Sequence, residues 1–144
     1  MKFEELESRW AIDSEISGNL FEESIKTPKL HAKWYSILNS ERKLFYKIDK
    51  MLTEMEVVLD SYYSRTISFE DLQKHELGDL PDRTALKTDI PKLIAVHPKI
   101  IDLKIAKGQQ LNKISYLEDI IKCIHARPFI LRDAIEWRKF EAGN

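Results

Sequence analysis

The sequence predicts an all-α protein with two long helices and several shorter ones, and three observations predict it. The 144 residues include only four glycines and five prolines, about half the usual combined share of roughly 12%. A sandwich or a doubly wound sheet needs more turn residues than that. Apolar side chains recur at steps of three and four over two extended stretches, which is the period of one helix face. Finally, 43% of the residues are hydrophobic and 33% charged. That is enough to build a core beneath a heavily charged surface, and too apolar for a disordered chain. The length fits one ordinary domain over residues 1–144.

Taken in order, residues 1–10 read as a short amphipathic helix and residues 13–18 as a polar connector. Thr27-Pro28 offers an N-cap followed by a proline suited to the first helical position. No glycine or proline then follows until Gly78. Across this stretch Leu30, Trp34, Ile37, Leu44, Ile48, Met51, Met55, Val58 and Tyr62 form a stripe in which Glu41 is the only polar member. With Leu30 at heptad position d, Leu38, Phe45, Leu52 and Leu59 fall at e, so the stripe is wider than a two-stranded seam. A helix over residues 28–63 would be on the order of 50 Å long. It must pack along another long helix, from this chain or from a second copy.

Ser68 ahead of Phe69-Glu70-Asp71 reads as the N-cap of a short helix ending near Gly78. Residues 78–88, with Pro81, form the linker. Thr88 or Asp89 caps a short helix over residues 90–96, which His97-Pro98 stops. A second long helix starts near Lys99 with Ile100, Leu103, Ile114, Leu117, Ile121 and Ile124, interrupted by Lys107 and Gln110 around Gly108. Pro128 either kinks this helix or opens a last one that ends at Gly143. The predicted organisation is therefore an N-terminal part over 1–77, the linker, and C-terminal helices over 89–144. Oligomerisation is assigned to Ile114, Leu117, Ile121, Ile124, Ile135, Trp137 and Phe140. Trp34, Tyr62 and Trp137 stand at core spacing and read as packing residues.

Several function classes are disfavoured. The longest apolar run, Leu93-Ile94-Ala95-Val96, is far short of the roughly 18–20 residues of a membrane span. Met1-Lys2-Phe3-Glu4-Glu5 carries acids where a signal peptide has basic residues, so an intracellular protein with no membrane partner is expected. Cys123 is the only cysteine and is expected to be a half-buried free thiol. His31, His75, His97 and His125 are scattered in sequence without a metal-ligand spacing. Cys123 and His125 point in different directions on a helix. There is no glycine-rich phosphate loop and no nucleophile on a strand-to-helix turn. No catalytic residue, metal or cofactor is expected.

Charge is near balance overall, at 23 basic against 24 acidic residues, but it is sorted along the chain. Residues 1–25 hold two basic and seven acidic side chains, residues 26–50 the reverse, and residues 51–80 again two and seven. Heptad positions c and g of the first long helix are Lys26, Lys29, Lys33, Ser36, Ser40, Lys43, Lys47 and Lys50. These positions lie about 40° apart around a helix, so they make one narrow basic strip, with Tyr46 on its flank. A line of ammonium groups beside an aromatic ring suits a flexible polyanion with stacking bases. The competing reading is that the lysine stems cover the apolar stripe and their charges pair with a neighbour's acids. Tyr63 and Arg65 add a phenol and a guanidinium where the helix gives way to a turn.

The chain also resembles a family, the UvsY recombination mediators of T-even-type phages and their cyanophage relatives. The resemblance rests on Pro28-Lys29-Leu30-His31-Ala32-Lys33, Tyr62-Tyr63, Phe69-Glu70-Asp71-Leu72, Arg127, and the ending Ile135-Glu136-Trp137-Arg138-Lys139-Phe140-Glu141-Ala142-Gly143. It implies an elongated protomer in a ring-shaped homo-oligomer, hexamer or heptamer, acting in the cytoplasm of an infected bacterium. The implied partners are single-stranded DNA, a UvsX-like phage recombinase and the phage single-strand-binding protein. The implied role is loading the recombinase, with no active site. The family's basic Lys-Ala-Arg-Leu element ahead of the tyrosine pair is replaced here by Val57-Val58-Leu59-Asp60. DNA contact is therefore assigned to Lys33, Lys43, Tyr46, Lys47, Lys50, Tyr63 and Arg65. The alternative from the residues alone is a self-assembling helical scaffold that binds no DNA.

Overall fold

Five helices carry the chain: α1 (Phe3–Asp13), α2 (Leu20–Tyr63), α3 (Phe69–Lys74), α4 (Ile90–Ala95) and α5 (Pro98–Glu141). The structure is a computed structural model that describes residues 1–143, and no strand occurs among them. Contacts divide the chain into two units. Unit 1 comprises Met1–Arg42 and the chain from Leu111 onward, and unit 2 is Lys43–Gln110.

Unit 1 packs α1 and the first part of α2 against the later part of α5. Its core holds Leu6, Leu20, Trp34, Leu38, Leu117, Ile120, Ile124 and Leu131, all at or below 9% exposure. Burying a side chain of this size contributes about 1.5–3 kcal/mol. Trp34 anchors α1: Trp10 meets its ring edge-on at 5.6 Å, and its indole N–H donates to Asp13 at 2.9 Å. Lys33 pairs with the same carboxylate. At the other end of α1, Phe3 lies 5.0 Å from Tyr116 and the Met1 ammonium is 3.5 Å from Glu41.

α2 begins at Leu20, not at Thr27, and Pro28 lies inside it. The true cap is Asn19, whose side-chain oxygen accepts from the Glu22 amide at 3.1 Å, with Glu22 and Glu23 favouring the positive helix end. Pro28 has no N–H, so the Ser24 carbonyl loses its helical donor. Arg127 stabilises this turn from α5. Its guanidinium donates to the Glu23 carboxylate at 2.5 Å and the Glu23 carbonyl at 3.1 Å, and to the Thr27 hydroxyl at 3.2 Å. α5 is likewise continuous through Pro128, so no separate last helix exists. Two further expectations are corrected. Cys123 is exposed, and Trp137 is 61% exposed instead of packed.

Unit 2 is built around Leu52, Leu59 and Ile100, with Met55, Tyr62, Tyr63, Leu77, Ile94 and Leu103 packed against them. The most buried side chains of α2 here are at heptad position e, whereas Leu44 and Met51 at d are exposed. The helix is thus rolled toward e from the expected seam. Lys107, which interrupts the α5 stripe, pairs with Asp49 at 2.7 Å and lies 5.6 Å over the Phe45 ring. Ser68 caps α3 by accepting from the Asp71 amide at 3.1 Å. Asp89 occupies the N-cap of α4 without a side-chain bond. The neutral Nδ1 of His97 accepts from the Lys99 amide at 3.1 Å at the start of α5. Burial, then the Lys99 charge, holds His97 below its ordinary range.

The Glu23 carboxyl is lowered from the usual 4.5 to about 2, by Lys26 first, then Ser17, with Arg127 assisting against the opposing effect of desolvation. A depressed acid stabilises the fold above its unfolded value and loses that contribution as pH falls toward the folded one. Chemical denaturation followed by circular dichroism should therefore show unit 1 weakening between about pH 4.5 and 2. Glu23→Gln should lower stability at pH 7 and flatten that acid dependence.

Candidate nucleic-acid interface

The strip expected on α2 divides between the two units. In unit 2, Lys43, Tyr46, Lys47 and Lys50 are all exposed on one helix face. Lys43 to Lys50 spans about 10 Å along the axis. The Lys50 side chain is 76% exposed and only loosely placed by Glu54 at 3.8 Å, an exposed pair of the kind worth under about 1 kcal/mol. Tyr46 is 66% exposed and sits edge-on to Phe45 at 5.6 Å. Phe45 is in turn held under Lys107, so the phenol is supported from below and presents an open face to solvent.

Two strip lysines in unit 1 are already paired, whereas Lys29 is exposed. Lys33 is tied to Asp13 and lies 5.7 Å from the Trp34 ring centre. Lys26 pairs with the buried Glu23 at 2.9 Å. Beyond the strip, Leu59 of Val57-Val58-Leu59-Asp60 is fully buried in the core of unit 2. Val57 and Asp60 are exposed, but no residue of the four is basic, so the stretch offers no cation.

Tyr63 and Arg65 fasten the irregular segment that follows α3. The Tyr62 hydroxyl donates to the Asp79 carbonyl at 2.9 Å, and the Tyr63 carbonyl accepts from the Ala85 amide at 3.1 Å. The Tyr63 phenol is half-buried, and burial, then Tyr62, raises it above its ordinary value. Arg65 adopts a left-handed φ of 60°, and its guanidinium donates to the Asp82 carbonyl at 2.9 Å.

The residues assigned to assembly also separate. Ile114, Leu117 and Ile124 are buried in the core of unit 1 and Ile121 is half-buried, so this part of the stripe is already covered by the protomer itself. Ile135, Trp137 and Phe140 are exposed at 37%, 61% and 70%. Ile135 lines an open groove of about 690 Å³ with Leu20, Phe21 and Arg138. Trp137 and Phe140 line a second hollow with Asp133 and Glu136. Sequence reasoning missed Phe129 and Ile130 just ahead of them, at 60% and 52% exposure. Only their place beside Pro128 marked them.

Among the described residues no group of three or more His, Cys, Asp or Glu side chains converges to hold a metal. No described helix is long and apolar enough to cross a membrane. The class is thus an all-helical protein whose exposed chemistry lies along helix faces. Residues 5–144 match the family described as "Recombination, repair and ssDNA binding protein UvsY", and the chain belongs to that family, a phage family. Its fold is similar to that of the recombination mediator protein UvsY of bacteriophage T4. In lattice type II the TM-score is 0.80 at 17% identity, covering 99% of this chain and 98% of that one. In lattice type IV it is 0.78 at 17% identity, covering 98% and 99%. Likeness at this identity is a likeness of fold. Among curated proteins none matches the sequence.

Arg65→Ala should raise amide hydrogen exchange across residues 79–85 and lower stability by about 1 kcal/mol. Helicity of α2 should be unchanged by circular dichroism.

Proposed function

We propose that this protein is a recombination mediator that binds single-stranded DNA along Lys43, Tyr46, Lys47 and Lys50. In this role it promotes loading of a UvsX-like phage recombinase onto DNA coated by the phage single-strand-binding protein. Family membership supports the recombination role. The observation that carries the site is a row of exposed lysines beside an exposed tyrosine, on a helix face with no acid until Glu54. Lys33, Tyr63 and Arg65 act in this reading as supports, since each side chain or its backbone holds a neighbouring segment. The protein acts in the host cytoplasm and has no catalytic group of its own.

Three lysines and one stacking ring bind weakly in one protomer. Assembly into a ring of six or seven copies through Ile135, Trp137 and Phe140 multiplies the contact. Linked weak sites then gain affinity through effective concentration. A strand drawn along the ring is bent or straightened, which weakens the hold of a protein already coating it.

Fluorescence anisotropy of a labelled oligonucleotide against salt tests the site. Changing Lys43, Lys47 and Lys50 together to Ala should weaken binding and flatten the salt dependence by about 0.7 in log–log slope per lost phosphate contact. Tyr46→Ala should cost about 1–3 kcal/mol per stacked base. An unchanged slope in the triple variant would remove the strip as the site. A protein that assembles yet has no DNA affinity at low salt is a scaffold instead.

Assembly has its own test. Trp137→Ala with Phe140→Ala should shift sedimentation from oligomer toward protomer while helicity is retained. Leu117→Ala, which opens a cavity in the core of unit 1, should instead cost about 2–5 kcal/mol of stability.

A further inference from the structure

Two histidines that stand far apart in sequence meet in unit 1. His31 on α2 and His125 on α5 have ring centres 5.2 Å apart, with their planes at 54°. Two imidazoles bound to one ion at about 2.0–2.1 Å per Zn–N bond, at a tetrahedral angle, place their ring centres about 5 Å apart. The observed ring-centre spacing of 5.2 Å matches that distance.

The surroundings fit the same chemistry. His31 is half-buried, and Tyr35 stacks on it at 5.7 Å and 13°, which restricts rotation of the ring. His125 is exposed, which gives an ion a path from solvent. Neither imidazole hydrogen-bonds to another described residue, so no protein donor competes for the ring nitrogens. Lys122, one turn before His125, is near Asp119 at 3.8 Å. Imidazole donors suit zinc, copper and nickel, and not the hard cations that prefer oxygen.

We propose that His31 and His125 form a two-imidazole site for a late first-row divalent cation, with water completing the coordination. Bound there, the ion clips α2 to α5 within unit 1, on the same pair of helices that the Arg127 contacts join. It binds the folded chain and stabilises it by mass action. Nothing in this depends on DNA binding.

The test uses the full-length chain without a histidine tag. With Zn²⁺ at about a hundred times its dissociation constant, the melting temperature should rise by about 5–10 °C and fall back on adding a chelator. His125→Ala and His31→Gln should each abolish the rise, and His75→Ala, in unit 2, should retain it. A rise that persists in His125→Ala overturns the proposal. A second readout needs no variant. The electron paramagnetic resonance spectrum of the native protein with one equivalent of Cu²⁺ should show coupling to two imidazole nitrogens. Coupling to one nitrogen, or to none, also overturns it.

Discussion

Glu23 and Arg127 are charged groups almost completely removed from water, with side chains 3% and 6% exposed. Desolvating two charges is costly, and the attraction between them offsets that only where the remaining hydrogen-bonding capacity is also satisfied. Arg127 meets the condition with three partners on one turn of α2, namely the Glu23 carboxylate, the Glu23 carbonyl and the Thr27 hydroxyl. A planar guanidinium held at three points fixes how α5 is placed along α2 in unit 1. That placement brings Leu117, Ile120 and Ile124 into the same core as Trp34 and Leu38. The same clamp lies beside both interior prolines, Pro28 and Pro128, where each helix has lost one of its own bonds.

Sorting of charge follows from the same economy of burial. The buried Arg127 is matched with Glu23, the half-buried Lys107 with Asp49, and the exposed Lys33 with the Asp13 that also receives the Trp34 indole. The lysines at positions 43, 47 and 50 remain on the surface, where only Glu54 approaches. An exposed ammonium with no firm partner is available to a phosphate, and one already committed to a carboxylate is less so. This distinction separates Lys26 and Lys33, which are already paired, from Lys43, Lys47 and Lys50. It also makes the balance of 23 basic to 24 acidic residues a poor guide to the surface.

Much of the architecture could be read from local chemistry. The helical class followed from the scarcity of glycine and proline and from the three-four spacing. Ser68 capped the short helix it was expected to cap, and α2 ended at Tyr63. What failed was decided by residues far away. Thr27-Pro28 and Asn19-x-x-Glu22 are both good helix starts; the helix uses Asn19, and Arg127, about a hundred residues away in the chain, binds the turn ahead of Pro28. The roll of α2 toward heptad position e depends on what the helix packs against, which periodicity does not encode. Trp137 looked like core because its spacing is right, yet it is left 61% exposed. The His31–His125 contact arises only when α2 and α5 pair, and no sequence spacing announces it.

In the proposed role, exposed lysines on α2 let this protein bring a recombinase onto occupied DNA. The most direct measurement is the lag in DNA-dependent ATP hydrolysis by a UvsX-like recombinase added to single-stranded DNA already coated with the phage single-strand-binding protein. The native chain should shorten that lag. The variant with Lys43, Lys47 and Lys50 all changed to Ala, shown to keep its helicity and assembly, should leave the lag as long as with no mediator. A variant that shortens the lag as well as the native chain does would contradict the account.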